Sequence, residues 1–279
     1  MTLHPNCKIN IGLRVIRKRE DGYHDLETIF YPIFALHDDL EIELSDTFVF
    51  EQDGITVDCE PENNLIVRCF QQMRQHFPQI GNIHIRFCKN IPFGAGLGGG
   101  SSDAAHTAMA INTLFHLHLT RQQLADLIRP LGADCPFFLY NTPCYAEGIG
   151  DDITPISLNL KGLRIILIKP DVAISTKEAY SGITLYPEAT HSIFNAIQEN
   201  RSLEHLQDLL INDFEQTIFP LHPELATIKQ ALLDAGAIYA SMSGSGSTLF
   251  ALFPAVPNGS NYQSVLQRFS SSIILNTLL

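Results

Sequence analysis

One stretch of the sequence constrains the fold more than any other, because ordinary packing does not require so many glycines beside paired serines. Residues 91–105 read IPFGAGLGGGSSDAA, and we refer to residues 94–102 as the glycine loop. Glycine tolerates positive φ and lets the backbone approach a ligand, and successive N–H groups form a nest for anion oxygens. Ser101, Ser102 and Asp103 are helix N-cap types, and residues 104–114 are rich in helix formers. The loop therefore predicts a phosphate site at a helix N-terminus.

Three other interpretations of the glycine loop compete with this one. A P-loop needs a lysine before its serine, and here Gly100 precedes Ser101. The glycines satisfy the GxGxxG pattern of dinucleotide-binding folds, but a second helical segment, residues 121–128, follows where such folds place a strand. A flexible surface loop is the plainest alternative, yet Gly/Ser linkers need no adjoining strand and capped helix. Phosphate binding is favoured, and NAD binding stays a competing hypothesis.

Composition narrows the class of protein. With 279 residues, of which 45% are hydrophobic, the chain can bury a core of one large domain or two ordinary ones. It has no apolar run of about 18 residues and no secretion signal, so we expect a cytoplasmic protein without a membrane partner. A net charge of −12 argues against a nucleic-acid partner. Six scattered cysteines without a CxxC pair suggest neither a zinc ribbon nor a disulfide framework.

The pattern along the chain suggests two domains. Alternation over residues 7–16 predicts a half-buried strand with Lys8 and Asn10 on its polar face, where a lysine is ordinarily solvated. A turn-rich junction ends at residues 155–159, so we expect domains at residues 1–155 and 156–279. Beyond it, residues 163–168 predict a buried strand, and helices are expected after Ser175 and around residues 193–196 and 203–210.

Several segments together resemble the GHMP kinase superfamily. They are residues 8–15 (KINIGLRV), residues 18–28 (KREDGYHDLET) and the glycine loop, with REDGYH as the specific part. The resemblance implies an α+β fold of two domains, an N-terminal ATP-binding α/β domain and a C-terminal ferredoxin-like domain, with the active site in the cleft between them. It also implies an ATP-dependent phosphotransferase of the non-mevalonate route to isoprenoid precursors. Its acceptor would be the 2-hydroxyl of a cytidine diphosphate-linked sugar alcohol.

The same resemblance assigns catalytic roles. The GADCPFF segment, residues 132–138, is similar to the one that carries the catalytic aspartate, although Asp134 alone would more often be a helix N-cap. Phosphoryl transfer to an alcohol needs a proton acceptor and positive charge near the transferring group. Asp134 would be the acceptor, and Lys8 would pair with it and with the hydroxyl. No obligate protein partner is inferred.

The implied binding residues fall into two sets. The ATP site would comprise Asn64, Lys89, Pro92, Gly94, Ala95, Gly96, Leu97, Gly98, Gly99, Gly100, Ser101 and Ser102. The substrate site would comprise Asn10, Tyr23, His24, Thr176, Tyr180, Gly244 and Ser245. Within it, Tyr23 and Tyr180 would sandwich the cytosine, and His24 and Thr176 would contact it through polar atoms. The residues alone leave other roles open, since Asn64 could simply open a helix and Tyr180 could be a core aromatic.

Two points stay open at the level of sequence. Mg²⁺ is expected from phosphoryl-transfer chemistry, but no metal ligand is identified; Ser101, Ser102 or the ATP phosphates could suffice. Another kinase of the superfamily, of homoserine or mevalonate type, would share the glycine loop but not residues 21–24 (DGYH). A nucleotide-binding regulator without catalysis is a rival of a different class.

Overall fold

The structure is a computed structural model that describes residues 1–56, 60–184, 186, 193–195, 210–257 and 260–279. Residues 193–195 are helical, whereas residue 196 of the helix predicted there lies outside the described residues. The helix predicted for residues 203–210 also lies outside them, except for Leu210. No helix in the described ranges is long and apolar enough to cross a membrane.

The described chain mixes strands and helices, mostly in runs of one kind. The strands are β1 (Thr2–Leu3), β2 (Asn6–Lys18), β3 (His24–His37), β4 (Asp39–Leu44), β5 (Val49–Gly54), β6 (Ile83–Lys89), β7 (Cys144–Glu147), β8 (Asp152–Pro155), β9 (Arg164–Ile168), β10 (Tyr239–Met242), β11 (Leu249–Phe253) and β12 (Ile273–Leu278). The helices are α1 (Leu65–His76), α2 (Gly99–Leu114), α3 (Arg121–Ile128), α4 (Cys135–Tyr140), α5 (Thr176–Ser181), α6 (Phe214–Leu221), α7 (Pro223–Asp234) and α8 (Ser260–Arg268). This mixture confirms the α+β class.

The chain forms two compact units. The first contains residues 1–8, 32–93 and 98–142, and the second contains residues 9–31, 94–97 and 143–279. The glycine loop is therefore divided, with residues 94–97 in the second unit and residues 98–102 in the first. The sequence boundary at residue 155 stays a prediction.

The first unit is built on a four-stranded sheet in the order β1-β4-β6-β5. β4 runs antiparallel to β1 and β6, while β5 and β6 are parallel and joined through α1. Helix α2 packs against α1 and α4, and its buried residues include several alanines. Small side chains allow this close approach of helices, so α2 is enclosed although its sequence is only weakly amphipathic.

Helix α2 starts earlier than the sequence predicts. Gly98, with φ of +69°, occupies the N-cap, and the helix begins at Gly99. The expectation that Ser101, Ser102 and Asp103 cap the helix is therefore wrong, because all three lie within its first two turns. For Asp103 the physical reason is a stronger partner. Its buried carboxylate accepts a hydrogen bond from Lys89 inside the unit instead of turning back to cap the helix.

The second unit contains two sheets. One has the order β2-β3-β7-β8, and the other has the order β10-β11-β9-β12 with all neighbours antiparallel. In chain order, the strands of the latter lie 4-1-3-2, with helices before and after its central hairpin, which is the ferredoxin-like arrangement. The implied ferredoxin-like domain is confirmed. Its core includes Ile166, Ile168, Phe214, Leu225 and Phe253, all buried.

Candidate active site

The first unit brings the later half of the glycine loop against the first long strand. A side chain at Gly98 would place its Cβ 3.0 Å from Lys8 Cε and 3.1 Å from Phe138 Cζ. Together with its positive φ, this crowding allows only glycine there without strain. The lysine stem of β2 therefore lies directly beneath the start of α2.

The ammonium of Lys8 meets the carboxylate of Asp134. Its Nζ lies 3.2 Å from Asp134 Oδ2, and the lysine side chain is 4% exposed whereas the aspartate side chain is 30% exposed. Asp134 occupies the N-cap position of α4, yet its side chain makes no capping hydrogen bond. The side chain of Asp134 therefore does not cap the helix, which is the role that the sequence alone favours for it. Its carboxylate is paired with Lys8 and is still partly exposed, so a small molecule can reach it.

Ser101 lies beside the turn that carries this aspartate. A Cβ at Gly132 would come within 3.2 Å of Ser101 Oγ and 3.4 Å of Cys135 Sγ. Ser101 is a partly buried residue, while Ser102 is fully buried and its Oγ lies 3.4 Å from His106 Nδ1. Of the two predicted serines, Ser101 is thus the less buried, and it lies beside the turn between Gly132 and Cys135 that carries Asp134.

A second buried lysine of this unit has a different environment. Nζ of Lys89 lies 2.5 Å from Asp38 Oδ2 and 2.9 Å from Asp103 Oδ2, and the three side chains are between 0% and 5% exposed. The other oxygen of Asp38 accepts from the backbone N–H groups of Asn90 and Ile91, at 2.6 and 2.8 Å. We call Asp38, Lys89 and Asp103 the buried triad. It ties the entry of the glycine loop to the first turns of α2.

Burial sets the charge balance of the buried triad. It raises the pKa of Asp103 well above the usual range, against the opposing pull of the Lys89 ammonium, and Asp38 adds to the rise. Burial alone would lower the pKa of Lys89, but the attraction of Asp103 and Asp38 outweighs it and the pKa is raised. The lysine therefore stays charged. Its ammonium is enclosed by these carboxylates, and direct contact of Lys89 with ATP stays a prediction.

The earlier half of the glycine loop packs on a turn of the second unit. A Cβ at Gly96 would lie 2.0 Å from the carbonyl oxygen of Ser243, so no larger residue fits. Ser243 Oγ donates to the Gly96 carbonyl at 2.9 Å, and the N–H of Thr248 donates to the Ala95 carbonyl at 3.3 Å. The turn at residues 243–248 thus supports the loop from below. Ligand contacts of Gly244, which is buried, and of the partly buried Ser245 stay predictions.

Polar residues of the second unit hold that turn in place. The N–H of Asn10 donates to Ser243 Oγ at 3.3 Å, and its side chain donates to Thr28 Oγ1 at 3.0 Å. Asn212 Nδ2 donates to the carbonyls of Met242 and Gly244, both at 2.8 Å. Sequence reasoning found Asn10 but missed Asn212, because nothing in its local sequence distinguishes it from an ordinary loop asparagine.

Three aromatic rings gather elsewhere in the second unit. The rings of His24 and Tyr180 stack at 4.6 Å between centroids and 20° between planes, and His24 lies 6.3 Å from Tyr186. Burial, with a smaller effect of Lys18, lowers the pKa of His24, so its imidazole is neutral at pH 7. Tyr23 is 61% exposed, and Thr176 is the exposed first residue of α5. The ring that the structure places on Tyr180 is thus His24 rather than Tyr23.

Of the remaining predicted ATP residues, Asn64 and Pro92 belong to the first unit and Gly94 belongs to the second. Asn64 caps α1, since its Oδ1 accepts from the N–H of Ile66 at 3.0 Å, and its Nδ2 donates to Gln52 at 3.1 Å. Pro92 is partly buried at the entry of the glycine loop, and Gly94 has open space where a Cβ would be. The helix-opening role of Asn64 is confirmed, and its contact with a nucleotide stays a prediction.

Comparisons with known proteins agree with this arrangement. The family profile described as GHMP kinases N terminal domain matches residues 64–142, and the profile described as GHMP kinases C terminal matches residues 193–270. A 4-diphosphocytidyl-2-C-methyl-D-erythritol kinase of Bacteroides fragilis is 47% identical over 258 residues, which cover 91% of this chain and 92% of that one. The enzyme of the same name from Cytophaga hutchinsonii is 41% identical over 95% of this chain and 99% of its own.

Solved structures show the same likeness. A crystal structure of 4-(cytidine 5'-diphospho)-2C-methyl-D-erythritol kinase superposes with a TM-score of 0.78 at 29% identity, covering 98% of this chain and 96% of that one. Mevalonate kinase of Methanococcus jannaschii superposes with a TM-score of 0.72 at 14% identity, covering 100% and 98%. The latter shows a shared fold only.

Proposed function

The chain belongs to the 4-diphosphocytidyl-2-C-methyl-D-erythritol kinases within the GHMP kinases, and on this basis we propose that it transfers the γ-phosphoryl group of ATP to the 2-hydroxyl of that substrate. The products are the 2-phosphate and ADP, on the route to isoprenoid precursors. The observation that carries the proposal is the ion pair of Lys8 with the partly exposed Asp134 beside the glycine loop.

Asp134 acts as the proton acceptor. As the substrate oxygen forms its bond to the γ-phosphorus, its proton passes to the carboxylate and ADP leaves with the electrons of the broken P–O bond. The open oxygen of Asp134 faces the substrate while the paired one contacts Lys8. The Lys8 ammonium, 4% exposed, stabilises the developing negative charge where little water competes.

The glycine loop holds the phosphates of ATP. Positive φ at Gly94, Gly96 and Gly98 turns successive backbone segments, and the N–H groups of the first turn of α2 are left without helical acceptors. These donors and the positive end of a 16-residue helix favour an anion. An acidic chain can bind phosphate in this way because the contacts are local.

Mg²⁺ fits the oxygen donors of the first unit. The hydroxyl of the partly buried Ser101 and the carboxylate of Asp134 are ligand types that Mg²⁺ accepts, whereas the fully buried Ser102 would first have to reorient. When bound, the ion would neutralise phosphate charge. Positioning the hydroxyl and accepting its proton remain the tasks of Lys8 and Asp134.

His24 and Tyr180 contribute to recognition of the cytosine. Their rings are in contact, so a base cannot lie between them, and it stacks on the other face of Tyr180 or displaces His24. Tyr23 is exposed enough to close over the base from outside. The polar edge of the base would then meet the neutral imidazole and Thr176. A cytoplasmic location remains a prediction from the sequence.

The acceptor is tested by measuring ADP release from the purified chain with Mg²⁺–ATP and one of three alcohols: the cytidyl substrate, mevalonate or homoserine. We expect turnover with the first and less than about one hundredth of its kcat/KM with the others, since mevalonate and homoserine lack the cytosine that would stack on Tyr180 and bond to the polar groups beside it. If mevalonate or homoserine is turned over as fast as the cytidyl substrate or faster, that alcohol is the acceptor and the proposed acceptor is wrong. Absence of ADP with all three would overturn the proposal.

Base stacking is tested at Tyr180. Replacing Tyr180 with Ala should raise KM for the cytidyl substrate by about tenfold, because stacking on one aromatic ring contributes about 1 to 3 kcal/mol. The kcat should change much less, since the ring lies on the non-reacting part of the substrate. Tyr180→Phe is the matched control and should restore KM, as it keeps the ring. If Tyr180→Ala leaves KM unchanged, the ring does not bind the base.

A further inference from the structure

Away from the glycine loop, the first unit carries a cluster of two histidines and one carboxylate on its surface. His4 follows β1, His37 ends β3 and Asp39 begins β4. One ligand atom from each lies within 4.8 Å of the other two. We call these residues the His-Asp cluster. It forms no part of the kinase chemistry described above.

The backbone forces these three residues together. The antiparallel register pairs Thr2 with Glu41 and Leu3 with Leu40, so the next pair along the ladder is His4 opposite Asp39. Beside them, the N–H of Asp38 donates to the carbonyl of Pro5 at 2.9 Å, which joins the end of β3 to the same segment. The cluster is therefore built on hydrogen-bonded strands rather than on a loose loop, so the sheet fixes the backbone positions of its three residues.

The side chains converge on one carboxylate oxygen. His4 Nδ1 lies 2.9 Å from Asp39 Oδ1, and His37 Nδ1 lies 3.6 Å from the same atom. The two imidazoles meet edge to face, with centroids 4.7 Å apart. Ligand atoms around a tetrahedral Zn²⁺ at about 2.0 to 2.1 Å are separated by about 3.3 Å, so these spacings need only small adjustments.

Neighbouring groups hold the potential ligands in orientation. Asn90 Nδ2 donates to Asp39 Oδ2 at 3.1 Å, which leaves Oδ1 directed at the histidines. Nδ1 of His37, the nitrogen that lies 3.6 Å from Asp39 Oδ1, also lies 3.2 Å from the carbonyl oxygen of Asp38, and it exchanges that contact for the ion when the metal binds. The contact of Asn90 with Asp39 is of the kind that orients carboxylate ligands in metal sites.

We propose that His4, His37 and Asp39 form a surface site for a divalent transition metal, with Zn²⁺ as the best-fitting ion. Two imidazoles and one carboxylate supply nitrogen and oxygen donors that suit Zn²⁺, while Mg²⁺ prefers an all-oxygen shell. All three side chains are solvent-accessible, so the ion can enter and a water molecule completes its coordination. The bound ion links the segment before β2 to the junction between β3 and β4. The buried Asp38 at that junction contacts Lys89.

The site is tested by titrating metal-free protein with Zn²⁺ against a chromophoric chelator, in the presence of millimolar Mg²⁺. The wild type should bind one more equivalent than His4→Ala or His37→Ala, or bind it at least about tenfold more tightly, as expected when a ligand is removed. His118→Asn is the matched control. It alters another pair of exposed histidines, His116 and His118, whose centroids lie 6.3 Å apart, and Asn tolerates the positive φ there.

A second readout separates metal binding from damage to the fold. Saturating Zn²⁺ should raise the Tm of the wild type and of His118→Asn, but not that of His4→Ala, whose metal-free Tm should match the wild type. Equal Zn²⁺ stoichiometry and affinity in all four proteins would overturn the proposal. So would loss of the bound ion in His118→Asn, or complete displacement of Zn²⁺ by Mg²⁺.

Discussion

The two buried lysines of the first compact unit meet carboxylates in opposite ways. Lys8 faces one aspartate, Asp134, whose side chain is 30% exposed. Lys89 faces two, Asp38 and Asp103, whose side chains are at most 5% exposed. Both lysines lie along the glycine loop, the first beneath Gly98 and the second 2.9 Å from where a Cβ of Gly99 would be.

This difference in exposure indicates that the Lys8–Asp134 pair acts in the reaction and that the buried triad stabilises the fold. A carboxylate with one open oxygen can receive a proton from a substrate, whereas sealed carboxylates can exchange nothing with a ligand. A sealed ion cluster is held by its mutual attraction, and loss of its single cation leaves unpaired carboxylates in a region of low polarity. The Lys8 pair is accordingly expected to determine the rate of the reaction, and the buried triad the stability of the unit that carries it.

Lys89→Met should have the largest effect on stability. It leaves Asp38 and Asp103 buried without a cation, and breaking a buried ion pair costs about 3 to 5 kcal/mol. The free energy of unfolding, measured in urea, should fall by that amount. Lys161→Met, at an exposed lysine, is the control and should change it by less than about 0.5 kcal/mol. If Lys89→Met lowers the free energy of unfolding no more than Lys161→Met does, the buried triad does not stabilise the unit.

Lys8→Met should show the reverse pattern. The kcat should fall by about 10²-fold or more, since a preorganised positive group next to the reacting atoms is lost. The free energy of unfolding should fall by less in Lys8→Met than in Lys89→Met, because the partly exposed Asp134 can be hydrated once its partner is lost. Steady-state kinetics and urea unfolding on the same preparation check both halves. A large loss of stability with an unchanged kcat would show that Lys8, like Lys89, contributes to the stability of the fold and not to the reaction.

Asp103→Asn should have the smallest effect, visible mainly in its dependence on pH. Burial raises the pKa of Asp103 in the folded state, so folding favours the protonated acid. That stabilisation is complete below the unfolded value of about 3.9 and is lost as pH rises through the higher folded pKa. The stability of Asp103→Asn relative to the wild type should therefore increase between about pH 4 and pH 8. A constant difference across this range would contradict the raised pKa.

Sequence reasoning anticipated features that depend on local pattern. The glycines and the alanines that follow them predict a loop leading into a helix, and the structure confirms both. Even there the helix start was misplaced, because the N-cap preference of Asp103 is a weak local effect and its bond to Lys89 is a strong distant one. The pairing of Lys8 with Asp134 followed from the family resemblance, since Asp134 alone is typical of a helix N-cap.

Features that depend on distant contacts could not be predicted. Asp38 lies 51 residues from Lys89 in the chain and reads locally as part of a turn before a strand. Its inward orientation follows from the pairing of β4 with β6, which no local pattern specifies. Likewise, the stacking of His24 on Tyr180 joins residues that lie far apart in the chain, so no local pattern indicates it.

The central claim is that the open carboxylate of Asp134 accepts the proton. Its most direct test is the kcat of Asp134→Asn with saturating Mg²⁺–ATP and cytidyl substrate, beside Asp126→Asn on the exposed face of α3. The account predicts a loss of about 10²- to 10⁴-fold for Asp134→Asn, with the fold intact by circular dichroism, and no change for Asp126→Asn. An Asp134→Asn protein that turns over within twofold of the wild type would contradict it.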